Sequence, residues 1–442
     1  MKLNKKFIKL PYLFQYSYEK ITTSIAFYPI LMAGLSFFLI ALMFYMESRG
    51  LTGWMGERIP SFLLIKSWDV AQSILNVLIG SLISLMVFSF SMVMVVLNNA
   101  ASNFSPRVLP TIIADRFHQL VLGTYLASIT YCILMVLNLT PSQDKIPLPG
   151  FSVLVGINLG IICLLLFVFF IHSISVSIQV GTILETLKSA TLSSLERSDF
   201  SKEIEHPENF DHRNQWYTHT ADRTGYLAHL NLPHILKITE EEDLIFKIVK
   251  PQSRFIREGE SLFLCNKKID EELQSTILNK FIFSSSEKAT DHYANGFKQI
   301  TEIALKAMSP GINDPGTALI AIDYLSLLFE KKMRLPEGNG VAIQDENKND
   351  FSSRLWLCIV TFEELLSDSL TSLRLYCKHD VMVMQRIVSL LQFLSSRPHC
   401  STAQRQVIQK EIDILKVDAK EELANPSDYK KLMDCFEGST SV

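Results

Sequence analysis

FSVLVGINLGIICLLLFVFFIHSISVSIQV, residues 151–180, is the stretch on which the architecture turns. It contains no Asp, Glu, Lys or Arg, and its centre, IICLLLFVFFI at 161–171, is unbroken by any charged or amide side chain. About 20 apolar residues suffice for a helix to cross a hydrocarbon layer. Three earlier runs meet the same standard: Ile25–Met46, Val70–Leu97 and Leu120–Leu139. Pro29 lies in the first turn of the first run, where a helix tolerates it. The whole chain, 442 residues long and 48% hydrophobic, has a mean hydropathy of +0.21, on the apolar side for its length. Four transmembrane helices over residues 25–185 are therefore expected.

Charge and cysteine content narrow the class further. A net charge of −3, from 42 Lys+Arg against 45 Asp+Glu, lacks the basic face that nucleic acid demands, so no nucleic-acid partner is expected. Seven cysteines without a CxxC pair exclude a zinc ribbon and a disulfide scaffold. His206, His212 and His219 lack metal-ligand spacing. Neither a metal nor any other cofactor is expected. Residues 1–24 mix Lys2, Lys5, Lys6, Lys9 and Lys20 with Phe7, Tyr12, Phe14, Tyr16 and Tyr18, the composition of a segment lying among headgroups. Those lysines, with Arg107 and Arg116, set seven basic residues on one side. Arg49, Arg58, Lys66 and Lys145 set four on the other, which places both termini in the cytoplasm.

The second run carries a polar pattern. At about 100° per residue, Ser73, Asn76, Gly80, Ser84, Ser91, Asn98 and Ser102 fall within an arc of about 80°. Such a line is costly against lipid. It either packs closely on neighbouring helices, with Gly80 and Ser84 as a small-xxx-small pair, or lines a pore in a homo-oligomer. His172 in the fourth run, near Asn158 and Gln179 on a helical wheel, adds a weaker polar line. Arg107 and Arg116, in the loop after Ser105-Pro106, are placed to hold lipid phosphate.

The remainder reads as a cytoplasmic α+β domain: a linker at 186–223, a small β-barrel-like unit at 224–286 and a helical part at 287–442. LIFKIVK (244–250) and SRFIREGESLFLC (253–265) are strand-like, the latter turning at Glu258-Gly259. This hairpin resembles those of barrel-sandwich modules, but its tip lacks the lysine that a lipoyl or biotinyl carrier needs. Phe297, Ile300, Ile303, Ala304 and Ala307 follow helical spacing up to Ser309-Pro310-Gly311. Asn313-Asp314-Pro315 restarts a helix, with Asp314 as cap, Pro315 at the first helical position and Thr317 in the first turn. Residues 337–350 read as a polar loop, and 355–376 and 381–396 as amphipathic helices.

Three segments resemble motifs of the bacterial domain of unknown function 2254 family: IALKAMSPGINDPGTALIAIDYL (303–325), SFSMVMVVLNNAASNFSPRVL (89–109) and TGYLAHLN (224–231). The resemblance spans most of the chain and implies a multi-pass inner-membrane protein with a cytoplasmic domain, without implying an activity. The chain departs from the family's acidic-then-Phe-Gly run before SPGINDP, having Asp291-His292-Tyr293-Ala294-Asn295-Gly296-Phe297 instead. Residues 309–315 with Thr317 form either a rigid corner or a ligand site completed by Asp291 and His292. GxGxxG, P-loop, HExxH and GxSxG patterns are absent, so no enzyme is expected. The sequence thus points to a homo-oligomeric channel-like or transport protein in contact with membrane lipid. The alternative is an anchored scaffold or sensor for an unknown cytoplasmic protein or ligand.

Overall fold

The computed structural model describes residues 26–50, 65, 67–103, 116–139, 149–177, 179–197, 215–335, 341–343 and 355–437. The N-terminal segment, Arg107, His206 and His212 lie outside the described residues. The chain divides into two units, the first of residues 1–101 and 109–179 and the second of residues 102–108 and 180–442.

The first unit contains four helices long and apolar enough to span a membrane: α1 (Phe27–Ser48), α2 (Trp68–Asn103), α3 (Arg116–Asn138) and α4 (Gly150–Ser177). Helix α3 is the central element, packed along α1 and α4, and half of its apolar window is buried. Two apolar clusters hold the unit together. One joins Leu82 and Val96 of α2 to Val121 and Tyr125 of α3 and Cys163 and Phe170 of α4. The other joins Ile40 of α1, Ala71 and Leu75 of α2, Tyr131 and Met135 of α3 and Val153 of α4.

Glycine permits the closest approaches. A methyl group on Gly160 would stand 2.8 Å from Leu78 Cδ2, and one on Gly156 3.2 Å from Leu75 Cδ2. A methyl group on Gly123 would meet Met32 Sδ at 2.7 Å. Gly156 and Gly160 are a GxxxG pair into which α2 sets its leucines, so close packing replaces the hydrophobic drive that lipid does not supply. Glu47, at the end of α1, accepts hydrogen bonds from Ser152 N (3.2 Å) and Ser152 Oγ (3.0 Å) in the first turn of α4. A carboxylate there answers the unpaired amides and positive end of that helix.

The second unit begins with α5 (Val180–Arg197). Two open sheets follow. One has the order β1 (Tyr217–Thr220), β5 (Ser261–Cys265), β3 (Phe246–Ile248), β8 (Leu355–Leu357), β7 (Val341–Ile343). The other has the order β4 (Phe255–Ile256), β2 (Gly225–Leu230), β6 (Phe281–Ser284). All pairings are antiparallel except β3 with β8. The barrel-like expectation is corrected: among the described residues both sheets are open, with two edges each, and no barrel closes. Two helices, α6 (Leu232–Glu241) and α7 (Glu271–Leu278), interrupt the strands, capped by Asn231 and Asp270. Phe246, Phe263 and Phe281 stack at the centre of the core that both sheets share.

Helices α8 (Tyr293–Ala307), α9 (Pro315–Met333), α10 (Phe362–Cys377), α11 (Val381–Ser395), α12 (Thr402–Glu422) and α13 (Pro426–Phe436) complete the unit. The helix expected from 355 starts only at Phe362. Thr361 and Glu364 form a capping box there, and Leu355–Leu357 pairs with β3 instead. The expected apolar face of α8 is buried as a set: Phe297, Ile300, Ile303, Ala304 and Ala307. Helix α5 crosses α8 so closely that a methyl group on Gly296 would lie 1.8 Å from Thr191 Oγ1.

Candidate functional site

Two features stood out in the sequence, and the structure gives each a definite setting. The first is the polar line of α2. Taking Asn76 as zero, the residues by which α2 packs on its neighbours (Ala71, Leu75, Leu82, Ser89, Val96, Ala100) lie at about 200–260°. Ser73, Asn76, Gly80, Ser84, Ser91, Asn98 and Ser102 lie at about 0–80°, on the opposite side, and all seven are exposed. The line therefore does not pack against the other helices of its own unit. Gly80 has open space before it. Two hydroxyls are satisfied within the helix, Ser84 Oγ donating to Gly80 O and Ser91 Oγ to Val87 O, both at 2.9 Å. Asp69, also exposed, falls on the same line one turn from its start, whereas Val87 and Met94 interrupt it. On α4, His172 and Asn158 are likewise exposed, as is Gln179 just beyond its end, and Asn158 Nδ2 donates to Leu154 O at 2.8 Å.

The second feature is the corner after α8. Ser309 Oγ donates to Lys306 O (2.7 Å), and Ser309 O accepts from Ile312 N (3.0 Å) and Asn313 N (2.9 Å). Asp314 N returns to Ala307 O at 2.8 Å. Asn313 takes a left-handed φ of +49°, one of the few side chains that accept it cheaply. Asp314 caps α9: Oδ1 accepts from Thr317 N (3.1 Å) and Oδ2 from Thr317 Oγ1 (2.5 Å). Pro315 sits in the first turn, where no amide proton is needed. Pro310, Gly311, Asn313 and Asp314 are exposed, while Thr317 is buried. Both oxygens of Asp314 are thus engaged by one residue of its own helix.

His292 and Asp291 do not join this corner. His292 caps the other end of α8, its Nδ1 accepting from Ala294 N, and the 15 residues of α8 separate the two ends by about 22 Å. Burial pushes the His292 imidazole down to about 3, with Lys332 adding to the shift, so the ring is neutral. Arg107 lies outside the described residues, as does the side chain of Arg116, which opens α3.

A cluster that sequence spacing does not reveal lies between the strands. Cys265 Sγ is 3.2 Å from His219 Nε2, and His219 Nδ1 is 3.2 Å from Gln274 Oε1. Cys265 Sγ also donates to Lys267 O at 3.1 Å, and His219 stacks on Phe263. The arrangement resembles a nucleophile with its base, but its electrostatics do not: burial pushes the thiol up and the imidazole down. At neutral pH both are uncharged. The residues lie up to 55 positions apart, and only the pairing of β1 with β5 brings them together. Among the described residues no group of three or more His, Cys, Asp or Glu side chains could hold a metal.

Comparison with known proteins places the chain. Uncharacterized proteins of Mycobacterium bovis and Mycobacterium tuberculosis are each 22% identical to it over 387 residues, covering 84% of this chain and 72% of theirs. No solved structure matches it. The family described as predicted membrane protein (DUF2254) matches residues 22–392, and the chain belongs to that family.

Proposed function

We propose that the protein is a homo-oligomeric, channel-like or transport protein of the bacterial inner membrane, in which the polar line of α2 from several copies surrounds a conduit. The observation that carries this reading is the direction of that line, away from every helix that α2 packs against. Exposed serines cost little once their hydroxyls bond within the helix. The carboxamides of Asn76 and Asn98 are different, since an amide moved from water into hydrocarbon without a partner costs about 4–8 kcal/mol. A second copy or a water column removes that cost. In this reading both termini are cytoplasmic, the second unit regulates the conduit, and no catalysis is involved. The sensor alternative draws less support, because Asp314 is already committed to Thr317.

The test is cross-linking and flux together. Single cysteines at Ser84 and Ser91 should form disulfides between copies in liposomes, whereas one at Leu165, exposed on α4, should not. Solute flux should fall when Ser84 and Ser91 are made leucine. A monomer in lipid, with no cross-link and no flux under voltage, tension or osmotic challenge, would refute the reading.

A further inference from the structure

Helix α12 docks on the second unit along one seam. Its buried residues are Gln404, Ile408, Glu411, Leu415 and Ala419, spaced three and four apart. They pack against α10, α11 and α13. Two of the five are polar, and their surroundings differ. Gln404 is satisfied at both ends of its amide: Nε2 donates to Met333 O (3.2 Å), and Oε1 accepts from Ser401 N (3.0 Å). Glu411, only 5% exposed, occupies a place where the seam otherwise sets an apolar side chain. Its Oε2 is buried with no hydrogen-bond partner among the described residues.

The neighbouring charges do not answer it. Arg374 of α10 bears on Glu411, but its Nη1 donates to Asp418, two turns further along α12, at 2.5 Å. The Nε of Arg374 is likewise buried without a hydrogen bond among the described residues. Lys378, just past α10, is held by Glu422 at 2.6 Å, while Glu364 and Asp368 at the other end of α10 face Arg254. The charged residue of α11, Arg386, is paired with Asp323 of α9. Helix α13 carries Lys431 paired with Asp428, exposed Lys430, and half-buried Tyr429, Asp434 and Cys435. Lys410, beside Glu411 in the chain, is exposed. Burial pushes the Glu411 carboxyl above its ordinary value of 4.5, against the opposing pull of Arg374 and Lys410.

An ionised carboxylate in such a seam gives up its hydration without a partner in exchange, whereas the neutral acid gives up far less. The family match ends at residue 392, so α12 and α13 follow the part of the chain that the family shares. We propose that Glu411 is a proton-operated clasp: with its carboxyl neutral, α12 and the α13 that follows it dock on α10 and α11, and with the carboxyl ionised they loosen. The docked seam favours the protonated acid. Docking therefore strengthens as the pH falls toward 4.5 and weakens as it rises. The sign is opposite to that of His292, whose burial as a neutral ring weakens the fold in acid.

Hydrogen–deuterium exchange of the full chain in detergent, read by mass spectrometry at about pH 5.5 and about pH 8 and corrected for intrinsic exchange, tests it. Protection of α12, taken relative to α11 in the same molecule, should fall as the pH rises, by up to about tenfold per pH unit. Glu411→Gln keeps the shape and cannot ionise, and it should leave α12 equally protected at both pH values. Gln406→Ala, on the exposed face, should keep the wild-type dependence. A Glu411→Gln protein that is more protected at both pH values yet keeps the wild-type difference shows a packing effect alone, and that result overturns the proposal. Wild-type protection that does not change with pH also overturns it. Should Glu411→Gln fail to fold, Glu411→Leu, which sets an apolar side chain in the seam, decides by the same comparison.

Discussion

Gly296→Ala is the sharpest perturbation the structure offers. The added Cβ would lie 1.8 Å from Thr191 Oγ1 and 2.8 Å from both Cβ and Cγ2 of the same residue. Ordinary contact between heavy atoms begins near roughly 3.5 Å, so α5 and α8 must part by about 1.7 Å at their crossing. Rotating Thr191 does not help. It would break the 2.6 Å bond from Oγ1 to Leu187 O, and Cβ would still clash. Parting the helices loosens a layer in which Leu184, Leu187, Phe297 and Ile300 are all buried. Overpacking of this kind costs about 1–3 kcal/mol, occasionally more, while the better helix propensity of alanine returns about 1 kcal/mol. The opening required is large, so we expect a net loss of about 2 kcal/mol, which for a unit of this size lowers the melting temperature by about 4–8 °C. Thermal unfolding of the full chain in detergent measures it. Thr191→Gly removes all three clashing atoms, and in the double variant it should recover part of the loss, giving a favourable coupling in a double-mutant cycle. A Gly296→Ala protein as stable as wild type, or a double variant with purely additive losses, would refute the reasoning.

Further expectations concern the second unit. His292 binds its proton only near pH 3 when folded but at about 6.5 when unfolded, so between those values the unfolded state holds more protons. Stability should fall by up to about 1.4 kcal/mol per pH unit as the pH drops below about 6.5, and His292→Gln should flatten that slope in acid-denaturation curves. Native alkylation with N-ethylmaleimide at neutral pH should spare Cys265, whose thiol burial holds protonated, and label the half-buried Cys435 first. Equal labelling, mapped by mass spectrometry, would contradict this. Asp314→Ala should cost about 1 kcal/mol through loss of the α9 cap, read by denaturant unfolding. No loss would mean that the Thr317 amide finds another acceptor.

The four membrane spans were legible because each must satisfy its backbone internally and present apolar side chains throughout, a demand written locally in the chain. The angular position of Ser84 and Asn98 on α2 was equally legible. Its direction was not, because periodicity fixes angles within a helix and says nothing of where the neighbours stand. GINLG at 156–160 carries the one local signal for the α2–α4 contact, two glycines four positions apart. Leu355–Leu357 looked helical because a three-residue strand has too little pattern of its own, and its parallel partner β3 lies more than a hundred positions earlier. Helices α6 and α7 were missed inside the presumed strand region, although Asn231 with Pro233, and Asp270 with Glu271 and Glu272, are recognisable starts. The pairing of His219 with Cys265 had no local trace at all.

The bond between Glu47 and Ser152 joins residues 105 positions apart. During synthesis α1 therefore enters the bilayer long before the turn it will serve exists. Insertion of the last span lets that acid leave water for the amide and hydroxyl of Ser152, which fastens the first hairpin to the last only when all four spans have arrived. The end of the first span and the first turn of the last are thus tied by a contact that exists only when all four spans are present.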